Sequence, residues 1–341
     1  MPPIVINARA AARPQITGVE RWAREMEARL PKLDPDRYVV LKPSAALSKR
    51  PGQAWEQLVL PARARRMKAA LVYNPANLAP LAFPRNVVQI HDAVALRHPE
   101  WYSTPYVRWQ RQMMPRIARR ARLVITVSEF SRAEISEFLG VPAGRIRVVP
   151  GGVDARFTPT VDAESARNVL GITRPYVLTV GDRGPRKNLD ALRPVANRLR
   201  SENIDLLVAG GGRGHQLGAP VPGTRDLGYV PEEHLPGLYA GALAFVLPSL
   251  HEGFGLTALE AMAAGVPVVV SSRGALAELV GDAGLTADPD DWGDFTAAVV
   301  RAANEPAVRE PLRAKGLQLA SRYTWERAAR AVHGHIARLL R

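Results

Sequence analysis

The chain has 341 residues and carries 46 Lys and Arg against 32 Asp and Glu, a net charge of +14, with no cysteine. The missing cysteines exclude a disulfide framework, a thiolate zinc site and a thiol nucleophile. The first residues lack a signal peptide's apolar stretch, and no apolar run approaches the roughly 18 residues that span a bilayer, so a cytosolic chain of two domains is expected.

In chain order, apolar and β-branched runs predict strands over residues 3–7, 38–41, 70–73, 86–91, 123–127 and 146–149. Amphipathic stretches between them predict helices over 19–30 and 106–121. A segment rich in Gly, Pro and Thr at 150–160 marks a junction. Beyond it, strands are predicted over 176–180, 205–209, 243–248 and 267–271, and helices over 189–200, 231–241, 256–264 and 291–303. A last helix, at about 325–341, gathers Ala328, Ala329, Val332, Ile336, Leu339 and Leu340 on one face. Strands alternating with helices imply an α/β chain with parallel sheets covered on both faces.

Four segments carry chemistry. In the first, the strand at 243–248 runs into Ser249, His251, Glu252, Gly253, Phe254 and Gly255, and a helix then begins near Leu256 and Thr257. A helix that follows a parallel strand offers free N–H groups and a positive dipole end to an anion. Gly253 and Gly255 leave the backbone open to close approach by a diphosphate. Glu252 and Glu260, seven residues between them, are carboxylates suited to sugar hydroxyls.

The second segment, after the strand at 176–180, holds Asp182, Arg183, Arg186 and Lys187 in a Gly- and Pro-containing turn. Lys187 there is a compact point charge suited to phosphate. The third is Thr17 and Gly18, before the first helix, where an ordinary N-cap by Thr17 explains the local sequence about as well. The fourth is His91-Asp92, at a strand end. The Gly210-Gly211-Gly212-Arg213-Gly214 run lacks the spacing of a dinucleotide fingerprint.

Taken together these strings resemble the retaining glycosyltransferases of family 4, closest to bacterial polysaccharide mannosyltransferases. The features that carry the likeness are Pro248 through Pro267, the Val148–Asp154 junction string, the Val127–Arg132 string, Gly228-Tyr229-Val230 with Leu235, Leu238 and Tyr239, and, for the mannosyltransferase subset, Ile90-His91-Asp92 with Arg97-His98-Pro99-Glu100-Trp101. The resemblance implies the GT-B fold, two Rossmann-like domains with parallel sheets facing across a cleft. It implies an acceptor domain of residues 1–154 joined by a helix at about 323–341, and a donor domain of 155–322. It implies transfer of a hexosyl unit, mannose first, from GDP-mannose or a UDP-hexose to a hydroxyl in polysaccharide, lipid-linked glycan or glycolipid synthesis, with no cofactor and no metal.

By the same resemblance, Glu260 holds the ribose and Glu252 the donor sugar. Backbone at Gly253, Phe254, Gly255, Leu256 and Thr257 meets the distal phosphate and sugar; Thr257 stands where most members have Pro. Lys187 stabilises the leaving diphosphate with an arginine. That arginine usually follows the strand-end Gly directly, but Asp182 holds the place here, which leaves Arg183 and Arg186 as alternatives. Gly18 lies against the diphosphate or sugar, His91 contacts the sugar near the anomeric carbon, and Gly228, Tyr229 and Val230 offer backbone to the base.

The charge is unevenly placed. Residues 1–154 carry 25 Lys and Arg against 12 Asp and Glu, and residues 155–341 carry 21 against 20. Residues 102–122 are the densest part, with Tyr102, Tyr106, Trp109, Met113 and Ile117 at helical spacing among Arg108, Arg111, Arg116, Arg119, Arg120 and Arg122. The stripe reads as core, and Pro115 is expected to kink or split the helix. A basic first domain suits a lipid diphosphate acceptor or an anionic membrane surface, with the protein peripheral at the inner face. Nucleic acid is disfavoured, because no recognition motif accompanies the charge. Two other readings stay open at this stage: a nucleotide-sugar epimerase and a non-catalytic basic binding protein. Asp288-Pro289-Asp290 spells a metal-transferase motif but falls in a loop leading into a helix.

Overall fold

The apolar runs of the first half become parallel strands, β1 (Ile4–Asn7), β2 (Tyr38–Leu41), β3 (Leu71–Asn74), β4 (Asn86–Gln89), β5 (Leu123–Thr126) and β6 (Ile146–Val148), with every residue of β1, β3, β4 and β5 buried and the edge strands β2 and β6 half covered. Continuous burial of Val, Ile and Leu on both faces is what a helix-covered parallel sheet requires. The strand order is β2-β1-β3-β4-β5-β6. In this computed structural model, which describes residues 1–13, 16–44, 54–211 and 221–341, the covering helices of this half are α1 (Gly18–Leu33), α2 (Leu60–Arg66, continuing a π turn at Trp55–Val59), α3 (Val94–Arg97), α4 (Thr104–Arg120) and α5 (Glu129–Leu139). Local chemistry sets their ends. The Ser128 hydroxyl accepts the Ser131 amide at 3.0 Å to start α5, and Gly140, at φ +64°, ends it in the left-handed region.

The second half repeats the scheme. Helix α6 (Ala163–Val169), capped by Asp162, precedes β7 (Tyr176–Val180). Then come α7 (Leu192–Arg200), β8 (Asp205–Ala209), β9 (Arg225–Gly228), α8 (Leu235–Ala240), β10 (Ala244–Leu247), α9 (Leu256–Ala263), β11 (Val268–Ser271), α10 (Leu276–Val280), β12 (Leu285–Ala287), α11 (Trp292–Asn304) and α12 (Pro306–Ala320). The order is β12-β11-β10-β7-β8-β9, again all parallel. Counted from β7, this is the doubly wound dinucleotide-fold order, and its direction reverses between β7 and β10.

The last helix, α13 (Trp325–Leu339), returns to the first half. Trp325 packs edge-on against Trp22 of α1 with ring centroids 5.7 Å apart. The Tyr38 hydroxyl meets His333 Nδ1 at 3.0 Å, and Arg29 meets Glu326 at 2.8 Å. The chain thus divides into Met1–Gly152 with Trp325–Arg341, and Val153–Thr324. Counted over these ranges, the first unit holds 29 Lys and Arg against 12 Asp and Glu, and the second 17 against 20. The +14 of the chain is therefore +17 on one unit and −3 on the other.

Two expectations about α4 are corrected. The helix runs unbroken through Pro115, which is itself buried. The core stripe is also rotated: Val107, Met114, Ile117 and Ala118 are buried, while Tyr106 is 42% exposed. Tyr106 lies against Tyr102 at 5.5 Å and Trp109 at 6.3 Å, so the aromatics form a surface cluster beside the arginines.

Candidate functional site

The reversal between β7 and β10 places two loops side by side at the carboxyl ends of these strands, where open α/β sheets take their ligands. The loop after β7 brings Asp182, Arg183, Arg186 and Lys187; the loop after β10 brings Ser249, Glu252 and Gly255. A backbone bond from the Leu250 amide to the Arg186 carbonyl, 2.8 Å, ties the two together.

Glu252 is the hub. Its Oε1 accepts from Lys187 Nζ at 2.6 Å, Arg186 Nη1 at 2.8 Å and Ser249 Oγ at 3.0 Å. Arg186 also reaches Asp182 Oδ2 at 3.0 Å, so its guanidinium is held between two carboxylates. Burial pushes the Glu252 carboxyl up, but Arg186 and Lys187 outweigh it and hold it at about 2. Asp182 is likewise held at about 2, against its own burial, by Arg186 and then Lys187. The four charges cancel within the cluster, and Lys187 is only 5% exposed.

Glycines make this packing possible. A Cβ on Gly181 would lie 2.9 Å from Lys187 Cε, so the lysine stem crosses the strand end only because nothing is there. Gly274 sits where a Cβ would meet the Glu252 backbone at 2.8 Å. Gly255 starts α9 at φ +110°, a conformation open to glycine, and a Cβ there would meet Leu276 Cδ2 at 2.7 Å. The first amides of α9, at Leu256 and Thr257, have no partner within the helix by geometry, as at any helix start.

The remaining sequence candidates of this unit fall around the same strand ends. Glu260, on α9, is buried and accepts from the Tyr239 hydroxyl at 3.0 Å. Gly253 and Phe254 lie on the loop between Glu252 and α9. Gly228, at φ +62°, ends β9, followed by Tyr229, 73% exposed, and buried Val230. Arg183 and Arg186 part company: Arg186 shares Glu252 with Lys187, whereas Arg183 pairs with Asp226. Asp288 and Asp290 pair with Arg273. Of the Gly210–Gly214 run, Gly210 and Gly211 are placed, and Gly212, Arg213 and Gly214 lie outside the described residues.

In the first unit, His91 follows β4 and is buried. Its Nε2 lies 3.1 Å from the Pro75 carbonyl, and its ring meets Trp22 edge-on at 5.8 Å. Burial lowers its pKa below the ordinary 6.5, so the imidazole is neutral at pH 7 and donates from Nε2. Gly18 is the first residue of α1, and Glu20 reaches back to the Thr17 amide at 3.3 Å and to Arg13 at 2.9 Å. Residues not anticipated also gather in this unit. At the ends of β1 and β3, Asn7 donates to Glu56 at 2.7 Å and Asn74 at 3.1 Å, and Arg9 pairs with Glu56 at 3.0 Å, all buried. The signal was thin, because Asn7, Arg9 and Asn74 are single polar residues at strand ends and Glu56 lies in no periodic segment.

The second unit is thus a doubly wound domain with a buried Lys187–Arg186–Glu252–Asp182 cluster at the reversal of its strand order, beside the start of α9. Comparison with known proteins makes this specific. Residues 174–305 match the model for "Glycosyl transferases group 1", and residues 16–157 match that for "Glycosyltransferase Family 4". The chain is 36% identical over 280 residues to the O-antigen chain mannosyltransferase B of Escherichia coli, covering 77% of this chain and 72% of that protein. It is 30% identical over 273 residues to the MMP alpha-(1->4)-mannosyltransferase of Mycolicibacterium hassiacum, covering 74% and 64%. Among solved structures, the sucrose-phosphate synthase of Thermosynechococcus elongatus superposes with a TM-score of 0.77 at 20% identity over 99% of each chain. The Anabaena Alr3699/HepE protein, solved with UDP and glucose, gives 0.73 at 18% identity over 99% of this chain and 100% of that one. These two likenesses establish the GT-B glycosyltransferase fold. The chain belongs to the family 4 glycosyltransferases.

Proposed function

We propose that this glycosyltransferase moves a hexosyl unit, mannosyl first, from a nucleotide diphosphate sugar to a hydroxyl of a polysaccharide or lipid-linked glycan, with retention of configuration and without a metal. GDP-mannose is the favoured donor and a UDP-hexose the next. The observation that carries the reading is Lys187, buried at the β7–β10 reversal and bound to Glu252 at 2.6 Å. The mannosyltransferase relatives favour mannose, and the neighbour solved with UDP and glucose supports a nucleotide-sugar donor.

In this reading the second unit binds the donor and the first the acceptor. Breaking the anomeric C–O bond moves negative charge onto the diphosphate. Lys187, Arg186 and the first amides of α9 stabilise that charge more than they stabilise the intact donor. Phosphate oxygens draw the two cations from Glu252, whose carboxylate is then released to accept from a sugar hydroxyl. Glu260, steadied by Tyr239, accepts from the ribose, and the backbone from Gly253 to Thr257 follows the distal phosphate and sugar. Gly228, Tyr229 and Val230 offer backbone to the base. In the first unit, Gly18 leaves room at the start of α1, and neutral His91 serves as a hydrogen-bonding group rather than a charge.

The first unit's +17, with the exposed Tyr106 cluster among arginines on α4, suits an anionic lipid surface or a lipid diphosphate. Among the described residues no helix is long and apolar enough to cross a membrane. The test is sugar transfer from GDP-mannose and UDP-hexoses by the wild type, Glu252→Ala and Lys187→Ala. Both substitutions are expected to lower transfer by about 100-fold or more; wild-type activity in both refutes the site.

A further inference from the structure

Strand β9 is a weak element in the most exposed position of its sheet. It lies at the edge, its four residues are Arg, Asp, Leu and Gly, and among the described residues it pairs with β8 alone. Its ladder is also irregular: Val208 pairs with Asp226 but Ala209 pairs with Gly228, so Leu227 is an extra residue. Such a bulge re-aims the chain that follows, and bulges recur beside active sites. Here the chain that follows is Tyr229, 73% exposed, and Val230.

Something must fix an edge bulge of this kind. Arg225 anchors its start, donating to the Leu170 and Gly171 carbonyls at 2.9 and 3.0 Å. Asp226 fixes its end. One carboxylate oxygen accepts the Gly228 amide at 2.8 Å, which sets the turn at φ +62°. The other pairs with Arg183, from the loop after β7, whose side chain is only 10% exposed. The arginine reaches past the end of the intervening strand. Beside it, Gly210, at φ +130°, lies so close to β7 that a Cβ would meet the Gly181 carbonyl oxygen at 2.0 Å. The Gly210 amide in turn donates to the Gly228 carbonyl at 2.7 Å. The three adjacent strand ends are thus joined in series by backbone bonds, Gly181 to Ala209 and Gly210 to Gly228, and the Arg183–Asp226 pair links the loop after β7 to the outermost of them.

We infer that Arg183 is a positioning residue for the nucleoside end of the donor, acting through Asp226 on Gly228-Tyr229, and not a ligand of the diphosphate. The inference rests on the donor reading above. It separates the two arginines of the turn by role: Arg186 works with Lys187 on the leaving group, and Arg183 sets the edge from which the base is read. Loss of Arg183 frees the bulge and blurs base recognition, while the Lys187–Arg186–Glu252 cluster stays intact.

The experiment is calorimetric titration of the full chain with GDP, UDP, ADP and inorganic pyrophosphate, for wild type, Arg183→Ala, Arg183→Lys and Asp226→Asn, with steady-state kinetics alongside. The wild type should prefer one nucleoside diphosphate. Arg183→Ala and Asp226→Asn should each weaken that nucleotide by about 10-fold and shrink the preference between bases, whereas pyrophosphate changes by less than about 2-fold. Donor KM should rise and kcat at saturation stay within about 2-fold, the pattern of lost uniform binding. Arg183→Lys should recover part of the affinity, and Arg183→Ala with Asp226→Asn together should cost no more than either alone. Equal loss of nucleotide and pyrophosphate affinity would make Arg183 a phosphate ligand and overturn the inference, as would unchanged base preference in both variants. A wild type that binds pyrophosphate but no nucleoside diphosphate more tightly removes the donor reading and the inference with it. Should Arg183→Ala fold poorly, Arg183→Lys and Asp226→Asn, which keep the side-chain volume, carry the same comparison.

Discussion

Replacing Glu252 by Gln keeps the shape of the hub and removes its charge. Two cations then face each other across a neutral side chain, with Asp182 the carboxylate left in the cluster, and the buried Lys187 loses the charge of Glu252. The wild-type carboxyl is held at about 2 against an ordinary value of 4.5. A depression of that size, at about 1.4 kcal/mol per pH unit, corresponds to roughly 3 kcal/mol of stability. An independent guide agrees: breaking a buried ion pair from one side costs about 3–5 kcal/mol. The sign follows from the depressed pKa. The contribution is complete above the unfolded-state value and is lost as pH falls from about 4.5 towards about 2. Urea unfolding of wild type and Glu252→Gln should therefore differ by about 3 kcal/mol at pH 7 and converge only at or below about pH 2. A variant as stable as the wild type at pH 7, or a difference that ignores pH, would show that the cluster is assembled at net expense to the fold and would refute this reasoning.

Further outcomes follow from the same geometry. Lys187→Ala should lower kcat for sugar transfer by about 100-fold or more, since it removes a group acting mainly on transition-state charge; steady-state kinetics read this directly. Gly255→Ala should lose about 1–3 kcal/mol in urea unfolding, because alanine is strained at φ +110° and its Cβ collides with Leu276. Arg9→Met should cost about 3 kcal/mol by leaving Glu56 buried without its cation, and adding Glu56→Leu should restore part of that; equal loss in both would argue against the pair. Transfer should survive EDTA in full, and its loss on chelation with recovery on added metal would end the metal-independent reading.

Much of the architecture was readable because buried parallel strands announce themselves. Tyr176–Val180 and Asp205–Ala209 stand as the apolar runs indicate, since both faces of such strands are covered and four of the five residues in each are buried. Strand β9 was not readable. Arg225, Asp226 and Gly228 carry no apolar pattern, and the strand exists because β8 offers it backbone bonds and two arginine contacts pin its ends. The aromatic stripe of α4 misled for the opposite reason. Helical spacing places Tyr102, Tyr106 and Trp109 near one another but does not say which side of the helix meets the sheet, and Val107 and Met114 took that side. In the site, Glu252 and Lys187 stood out by motif. Their meeting depends on β7 and β10 being neighbours, a fact of strand order that no local pattern carries. The choice between Arg183 and Arg186 was open in the sequence for the same reason, because it turns on Asp226, more than forty residues downstream.

The central claim is that the second unit holds a nucleoside diphosphate on Lys187 and Arg186. Calorimetric titration of GDP and UDP into the wild type and into Lys187→Ala tests it most directly. The account predicts saturable binding of at least one nucleotide to the wild type and a loss of about 10-fold or more in the variant. Absence of binding to the wild type, or equal affinity in the two proteins, would contradict it.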